Sequence, residues 1–523
     1  MVSRRRIIKA VSLIPFFNFH SIFAAPFSIS KMEKCDSIES LRQLAPQKIG
    51  QLIYVVSYSP GISVGGGIFV SQKNEASLPD DSGVLIHTEN NMMWSRVDAS
   101  SYKKNIKKPE WYGCIGDGKT DDSESFQRML RSLKDGDVIE LKKKASYFNA
   151  LPNRQSRWII RKNNITIIGN GAIIARRPTS EATKEIDDGN LATLKVTGNN
   201  FTVLGELTIT GNEKKMPLVD KKLRIIGSSL YSRGYVSSHG LFLENVNGAT
   251  LSKGLVCCDA VFPCYVLGSN NVSIKGKYNN SGQVYPVVGT DLQIGSGVKI
   301  AKTKNFIVDI SSDNCAYCGC EIEPYSEMGD VSVFSSNAYM YGCIIHRNSC
   351  NMKIEIKAVD SLNAALRISA GSSNIKGNVY AYNCKNACLI TSENDSVCEG
   401  IVIDIHTQNT VESELISMNV NNKSPSTRNS LITITPIKSK LELKMNKMNS
   451  DYLKTPSLLD AVSSAPIIRI DNAQDSNITL NTTKTNRKID IKNSSNLGVN
   501  LTNIRLDSVS IMNVNNKNLK IKN

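Results

Sequence analysis

The chain has 523 residues, 41% of them hydrophobic, which supplies a large core and argues against general disorder. Aromatic residues make up only 6%, and the abundance of Asn, Ser, Val and Ile suits short strands joined by polar turns. The net charge is +16, or +12 once Arg4, Arg5, Arg6 and Lys9 are set aside; with no helix-turn-helix, zinc finger or basic heptad region, this argues against nucleic acid and for an anionic polymer or a solvated Lys-rich surface.

The first residues read as a targeting segment. Basic residues Arg4 to Lys9 precede an apolar run from Ala10 to Ala25, the layout of a secretory leader. Ser3-Arg4-Arg5-Arg6-Ile7-Ile8-Lys9 also resembles a twin-arginine export signal. Residues 1–25 are therefore expected to direct export to the periplasm or outside the cell, with no stable membrane span afterwards, since the run is short for a full crossing. Residues 26–108 read as a small β module. Its Gly65-Gly66-Gly67 run lacks the Gly-Lys-Ser/Thr and the helix of a phosphate loop, so tight turns are the expected role.

Residues 111–130 begin Trp111-Tyr112-Gly113-Cys114-Ile115-Gly116-Asp117-Gly118-Lys119-Thr120-Asp121-Asp122. Gly116-Asp117-Gly118 predicts a tight turn, and Thr120 or Asp121 is expected to cap a helix near 120–133, with Glu124 answering from its third position. Phe126, Met129 and Leu130 form its apolar face, suited to plugging the open end of a stacked structure.

From about Asn164 a single pattern recurs: a short β-branched run, an Asn/Gly/Ser turn, another run. Examples are Asn164-Ile165-Thr166-Ile167-Ile168-Gly169, Asn270-Asn271-Val272-Ser273-Ile274, Gly297-Val298-Lys299-Ile300 and Ser373-Asn374-Ile375-Lys376-Gly377. Apolar and polar residues alternate, so each run buries one face. The recurrence every twenty to twenty-five residues, roughly, is a solenoid period. No crossover helices separate the runs, which excludes a doubly wound sheet, and a β-sandwich rarely runs so long as one unit. The expected class is all-β, a right-handed parallel β-helix over 109–420, with 421–523 forming further coils or a β tail. Asn at the turns is expected to stack in ladders with left-handed backbone. The thirteen cysteines, clustered at 257–258, 315–320, 343, 350, 384 and 388, read as small apolar residues stacking inside the repeat rather than as a zinc site.

Outward polar residues on adjacent coils are where chemistry can sit. In Gly319-Cys320-Glu321-Ile322-Glu323-Pro324-Tyr325, alternation turns Cys320 and Ile322 inward and Glu321 and Glu323 outward, with about 6.5–7 Å between their Cα atoms. That spacing permits an acid and a base flanking one glycosidic bond. Asp309 and Asp313 lie one coil earlier; His346 and Arg347 lie one coil later, with Arg367 beyond. Glu321, Glu323 and Asp313 are the candidate catalytic groups; Tyr325, His346, Arg347, Arg367 and Asp309 are the candidate substrate contacts. Tyr325 would stack on a sugar ring and the arginines would bind uronate or pyruvate groups. For β-elimination, His346 and Arg347 would supply base and positive charge, or calcium held by Glu321, Glu323 and Asp313 would stabilise the enolate; hydrolysis requires no cofactor, and no metal ligand set is assigned. His239, just before Gly240-Leu241-Phe242-Leu243, reads as a turn residue.

The 111–130 stretch resembles the entry motif of the pectate-lyase superfamily β-helices, which include phage tailspikes and capsule depolymerases. Gly65-Gly66-Gly67-x-Phe69, Asp81-x-Gly83 and Trp94-x-Arg96 look like the small module that often precedes it in tailspike-type chains. Gly319-x-Glu321-Ile322-Glu323-Pro324 is similar to a Gly-x-Asp-Ile-Glu-Pro strand of many members. The resemblance covers about residues 50–410. It implies a right-handed β-helix, often a homotrimer, acting on bacterial surface polysaccharide. The leader departs from phage tailspikes and points to a cell-encoded relative from an exopolysaccharide locus. Two functions follow as expectations: cleavage of an acidic extracellular polysaccharide by hydrolysis or β-elimination, or non-catalytic binding of that polysaccharide during its assembly or secretion.

Overall fold

The computed structural model describes residues 32–74, 79–98, 105–150, 158–178, 192–212, 239–287, 290–361, 363–392, 396–408, 410, 413–419, 426–437, 468–471, 473–485, 488–504 and 509–512; the leader lies outside them.

The N-terminal module is a five-stranded sheet in the order Lys34–Cys35, Leu52–Val55, Gly67–Lys73, Met92–Arg96, Leu85–His87. Ile53, Val55, Phe69, Ile86 and Trp94 bury one face against the short helix Ile38–Arg42. The glycine run serves a structural purpose. Fully buried Arg96 donates to the carbonyls of Gly83, Gly66 and Gly65 at 2.7–2.9 Å and stacks over Phe69 and Trp111. A Cβ on Gly66 would stand 2.3 Å from the Val56 carbonyl oxygen, and one on Gly67 would stand 2.5 Å from the Arg96 guanidinium, so glycine lets this strand close on both. Trp111 belongs to the hydrophobic core of the β-helix, so Arg96 links the module to that core.

The cap helix spans Ser123–Ser132. Phe126, Met129 and Leu130 enter the core, and Phe126 stacks on Trp158 with centroids 4.1 Å apart. The residue at its N-cap is Asp122, not Thr120 or Asp121. The Asp122 carboxylate accepts from the N–H groups of Ile115 and Gly116 instead of from the helix, fastening the turn to the first coil; burial raises its pKa to about 6. Asp121 takes the capping work, accepting from the Ser123 N–H at 2.9 Å. Glu124 does not reach back to the cap and pairs with Arg131.

Beyond the cap the chain is a parallel β-helix. Among the described residues, thirteen short strands stack in one parallel sheet, and the longer strands, such as Lys304–Cys315, stack in a second. Lys299 and Glu321, register partners, are 22 residues apart, and Asn351 and Asn374 are 23 apart, within the expected period. The inward rows form one continuous core, including Cys264, Cys320, Cys343 and Cys388. Register places these four in a single column with Val298 and Leu366. All thirteen cysteines are free thiols. Asn ladders close the corners: Asn200 on Asn164, Asn271 on Asn247 and Asn374 on Asn351 at 2.9–3.1 Å, with left-handed backbone at Asn164, Asn200, Asn271, Asn351 and Asn374. Both sheets continue with strands past residue 421, to Gly498–Ile504 in the long sheet and Val509–Met512 in the short one. Among the described residues no helix is long and apolar enough to cross a membrane.

Candidate functional site

The outer wall of the short-strand sheet carries the site. Gly297 precedes the strand Val298–Ala301, Gly319 and Gly342 are the second residues of Cys318–Ile322 and Tyr341–Ile345, and the residues that follow alternate in register: Val298, Cys320 and Cys343 face inward, while Lys299, Glu321 and Ile344 share one outward column. Two residues further along, Glu323 and His346 stand in the next outward column. A Cβ at Gly319 would meet the hydroxyls of Ser312 and Ser335 at 2.3 and 2.4 Å, which explains the small residue at the strand start.

Five ionisable side chains meet there. The Lys299 ammonium lies 3.3 Å from Glu321 and 2.5 Å from Glu323. The His346 Nε2 lies 2.8 Å from Glu323 Oε2 and 3.7 Å from Glu321 Oε1. The Arg347 guanidinium reaches Glu323 Oε2 at 2.9 Å while the rest of its side chain stays in solvent. Ser296 donates to Glu321 Oε2 at 2.6 Å. Glu321 and Glu323 are each only 5% exposed, so they face away from the tube yet are withdrawn from water. On one flank Lys299 also covers the rings of Phe262 and Tyr265 at 5.2 and 5.9 Å. On the other flank the wall turns apolar, with Cys318, Tyr341, Ile344, Ala364 and Leu389 buried together.

Electrostatics follow from this packing. Burial works to raise both glutamates, but Lys299 and His346 outweigh it and hold them below the usual value near 4.5. Burial opposes charge on His346, yet the two carboxylates raise it above 6.5. The linkage sign follows. The His346 contribution to stability is complete below pH 6.5 and fades as pH rises through its raised value; the glutamate contributions are complete above 4.5 and fade as pH falls through their lowered values. The cluster is thus expected to stabilise the fold most between about pH 4.5 and 6.5. A thermal-unfolding series should show the decline above that window weakened in His346→Ala; an unchanged alkaline slope would contradict it.

The expected residues divide between this cluster and other places. Glu321, Glu323, His346 and Arg347 come together. Tyr325 is at the lip, 62% exposed, in a left-handed turn whose N–H donates to the Arg347 carbonyl. Arg367 shares the column of Glu321 but stands two coils away, its guanidinium held by the Tyr341 hydroxyl at 3.0 Å and the Thr391 hydroxyl at 3.2 Å. Asp313 and Asp309 are not in the cluster. Both sit on the long strand Lys304–Cys315 of the other sheet, because the chain turns a corner between Asp313 and Cys318. Asp313 accepts from Ser336 and Asn337, and Asp309 pairs with Lys253. His239 is no turn residue: it begins the strand His239–Glu244, pairs in register with Ala192 and Phe262, and is buried. Lys299, the hub of the cluster, was missed in the sequence, although the Gly-x-Lys and Gly-x-Glu alignment of two successive repeats carries it.

Among the described residues, the ligand atoms of Glu321, Glu323 and His346 lie within 4.8 Å of one another and form a group able to hold a metal ion. Lys299 already supplies positive charge between the two carboxylates, and Asp313, expected as a third oxygen ligand for calcium, is on the other sheet. The set is therefore satisfied by cationic side chains rather than arranged as an oxygen cage.

Residues 34–99 match the family described as phage tail protein small four-stranded β-sheet domain. The matched range is the N-terminal sheet module, which precedes the parallel β-helix. A 102-residue stretch is 33% identical to the Mu-like prophage FluMu defective tail fiber protein of Haemophilus influenzae, covering 19% of this chain and 15% of that protein. Among solved structures, the enzymatically active domain of bacteriophage CBA120 tailspike protein 2 aligns at 16% identity and TM-score 0.38, over 87% of this chain and 58% of that one. The family 28 exopolygalacturonase of Yersinia enterocolitica aligns at 13% identity and TM-score 0.43, over 86% and 84%. The bacteriophage Phi29 gene product 12 N-terminal fragment aligns at 14% identity and TM-score 0.47, over 78% and 66%.

Proposed function

We propose that the protein acts on an acidic extracellular polysaccharide and cleaves it at the Glu321–Glu323–His346 cluster. The observation that carries this reading is the cluster itself. A β-helix is held together by its inward rows, and its outer wall needs no ionised groups. Withdrawing two carboxylates from water costs several kcal/mol each before their partners offset it, and such perturbed groups concentrate at working sites.

The roles we propose follow from the ion pairs. Lys299 keeps both glutamates ionised, so neither is a protonated acid near neutrality. The group with a proton to give is His346, which would protonate the departing glycosidic oxygen. An ionised glutamate would then activate water for hydrolysis, or take the proton α to a uronate carboxyl for elimination. Arg347, mostly in solvent, would bind the uronate carboxylate. The ligand atoms of both carboxylates and the imidazole lie within 4.8 Å of one another, which supports a departing group on the His346 side of the cluster rather than between the glutamates.

A second reading, non-catalytic binding of the same polymer, is favoured by one observation: both carboxylates are ion-paired and nearly buried. Incubation with polygalacturonate, alginate and hyaluronan separates the two. New reducing ends indicate cleavage, and ultraviolet absorbance by unsaturated ends marks elimination. Cleavage is expected for the native protein, with about a hundredfold loss or more in His346→Ala and in the Glu321→Gln/Glu323→Gln double variant. Retained binding without products would support the second reading; undiminished cleavage by the double variant would remove the glutamates from any role.

A further inference from the structure

Thirteen free cysteines are many for a chain whose leader is expected to carry it to an oxidising compartment, where thiols meet disulfide exchange. Cys315-Ala316-Tyr317-Cys318 has the spacing of a redox pair, but its cysteines straddle the corner between the sheets. Cys315 ends the long strand Lys304–Cys315, and Cys318 begins the short strand Cys318–Ile322. Their thiols turn to different partners: Cys315 donates to the carbonyls of Asp313 and Tyr278, and Cys318 to the Ser296 hydroxyl at 3.2 Å. A different pair meets. Cys320 and Cys343 are register partners on adjacent parallel strands. Among the described residues, no other strand pairing sets two cysteines opposite each other.

The geometry suits a covalent bond. Neighbouring strands lie about 4.7–4.9 Å apart, inside the Cα separation of about 4.4–6.8 Å that a disulfide spans. Both side chains point into the core and are fully buried. On parallel strands in register their Cα–Cβ bonds run side by side, so the sulfurs are neighbours. Val298 and Leu366 flank the two in the column, so no third thiol adjoins them there. A hydrogen bond with Cys343, together with burial, raises the Cys320 thiol well above its ordinary value. The finished fold therefore offers little thiolate at Cys320 to attack a disulfide, and exchange belongs to the stage before the two coils close.

We propose that Cys320 and Cys343 are a modification site, joined as a disulfide while the coils form in the presence of a small-molecule or protein disulfide. The thiolate of one cysteine attacks the incoming disulfide, giving a mixed disulfide and releasing one oxidant thiol. The second cysteine's thiolate then displaces the other. The pair gives up two electrons and two protons, and the oxidant becomes two thiols. Glu321 follows Cys320 directly, and His346 lies three residues after Cys343. The bond thus staples, from inside the tube, the two coils whose side chains make the outer cluster. It requires no cleavage at that cluster.

Cell-free translation of the full chain tests the pair, once in a buffer of oxidised and reduced glutathione and once in dithiothreitol. The soluble product is unfolded in guanidinium with an alkylating agent, digested and weighed. The glutathione product should hold eleven alkylated cysteines and a peptide joining Cys320 to Cys343, lighter by two hydrogens than the reduced pair; the dithiothreitol product should hold all thirteen. In Cys315→Ala/Cys318→Ala the joined peptide should persist. Amide hydrogen exchange in Cys318–Ile322 and Tyr341–Ile345 should be slower by roughly twofold or more in the oxidised form. Thirteen alkylated cysteines under both conditions, or a bond between Cys315 and Cys318 instead, would overturn the proposal. Equal exchange in the two forms would overturn the staple.

Discussion

Replacing Lys299 with Met should lower the free energy of unfolding by about 3–5 kcal/mol, the cost of stripping the partner from buried charges. The expectation rests on geometry. Lys299 touches both Glu321 and Glu323, each 5% exposed, and no carboxylate that loses its counter-charge there can turn to bulk water. Part of the load would pass to His346, which contacts both, and to Arg347, so the loss should be larger at pH 8, where His346 is closer to neutral, than at pH 6. Converting both glutamates to Leu in the same protein should restore much of the stability, because removing a whole buried ion cluster is far less costly than breaking it. Denaturant unfolding of the single and triple variants reads this directly. A Lys299→Met variant within 1 kcal/mol of the native protein would mean that the cluster is solvated and the carboxylates need no partner.

Phe126→Ala in the cap helix should cost about 3–5 kcal/mol. Phe126 is 1% exposed, stacks on Trp158 at 4.1 Å and meets Tyr147 at 5.6 Å. These are the side chains that close the first coil, and the helix itself is held by the Trp158 indole, which donates to the Ser123 carbonyl at 3.1 Å. A solenoid end left open exposes the inward row of its first coil. Hydrogen exchange should therefore accelerate first in Val138–Glu140 and Thr166–Ile168, with later coils protected longer. Phe334→Ala, 47% exposed on the outer face of the strand Glu327–Ala338, should change stability by no more than about 0.5 kcal/mol. Equal losses for the two phenylalanines would contradict the assignment of one to the core and the other to the surface.

Much of this architecture was legible because a period-two pattern has one physical solution when it recurs every coil. The parity of Gly319 to Glu323 put Cys320 and Ile322 in the core and the glutamates on the wall, and the structure agrees. Parity along one strand says nothing about corners. Asp313 and Glu321 are eight residues apart in sequence order, yet the turn at Ala316 and Tyr317 sends them to different sheets, so the expected third carboxylate was misplaced. His239 failed differently: a His-Gly pair after serines has turn chemistry, but pairing with Ala192 and Phe262 drew it into a strand, where tertiary register overrides local preference. The ionisation of the glutamates was not legible either. The spacing of Glu321 and Glu323 admits one acid and one base, whereas Lys299, one coil back in the same column, helps hold both below the usual carboxylate range.

The most direct test is a structure of the Glu321→Gln/Glu323→Gln variant with an oligogalacturonate bound. The account predicts a sugar lying against Lys299 and His346 on the outer wall of the short-strand sheet, with a uronate carboxylate on Arg347. Oligosaccharide found only on other faces of the β-helix, with the Lys299–His346 wall unoccupied at saturating ligand, would contradict it.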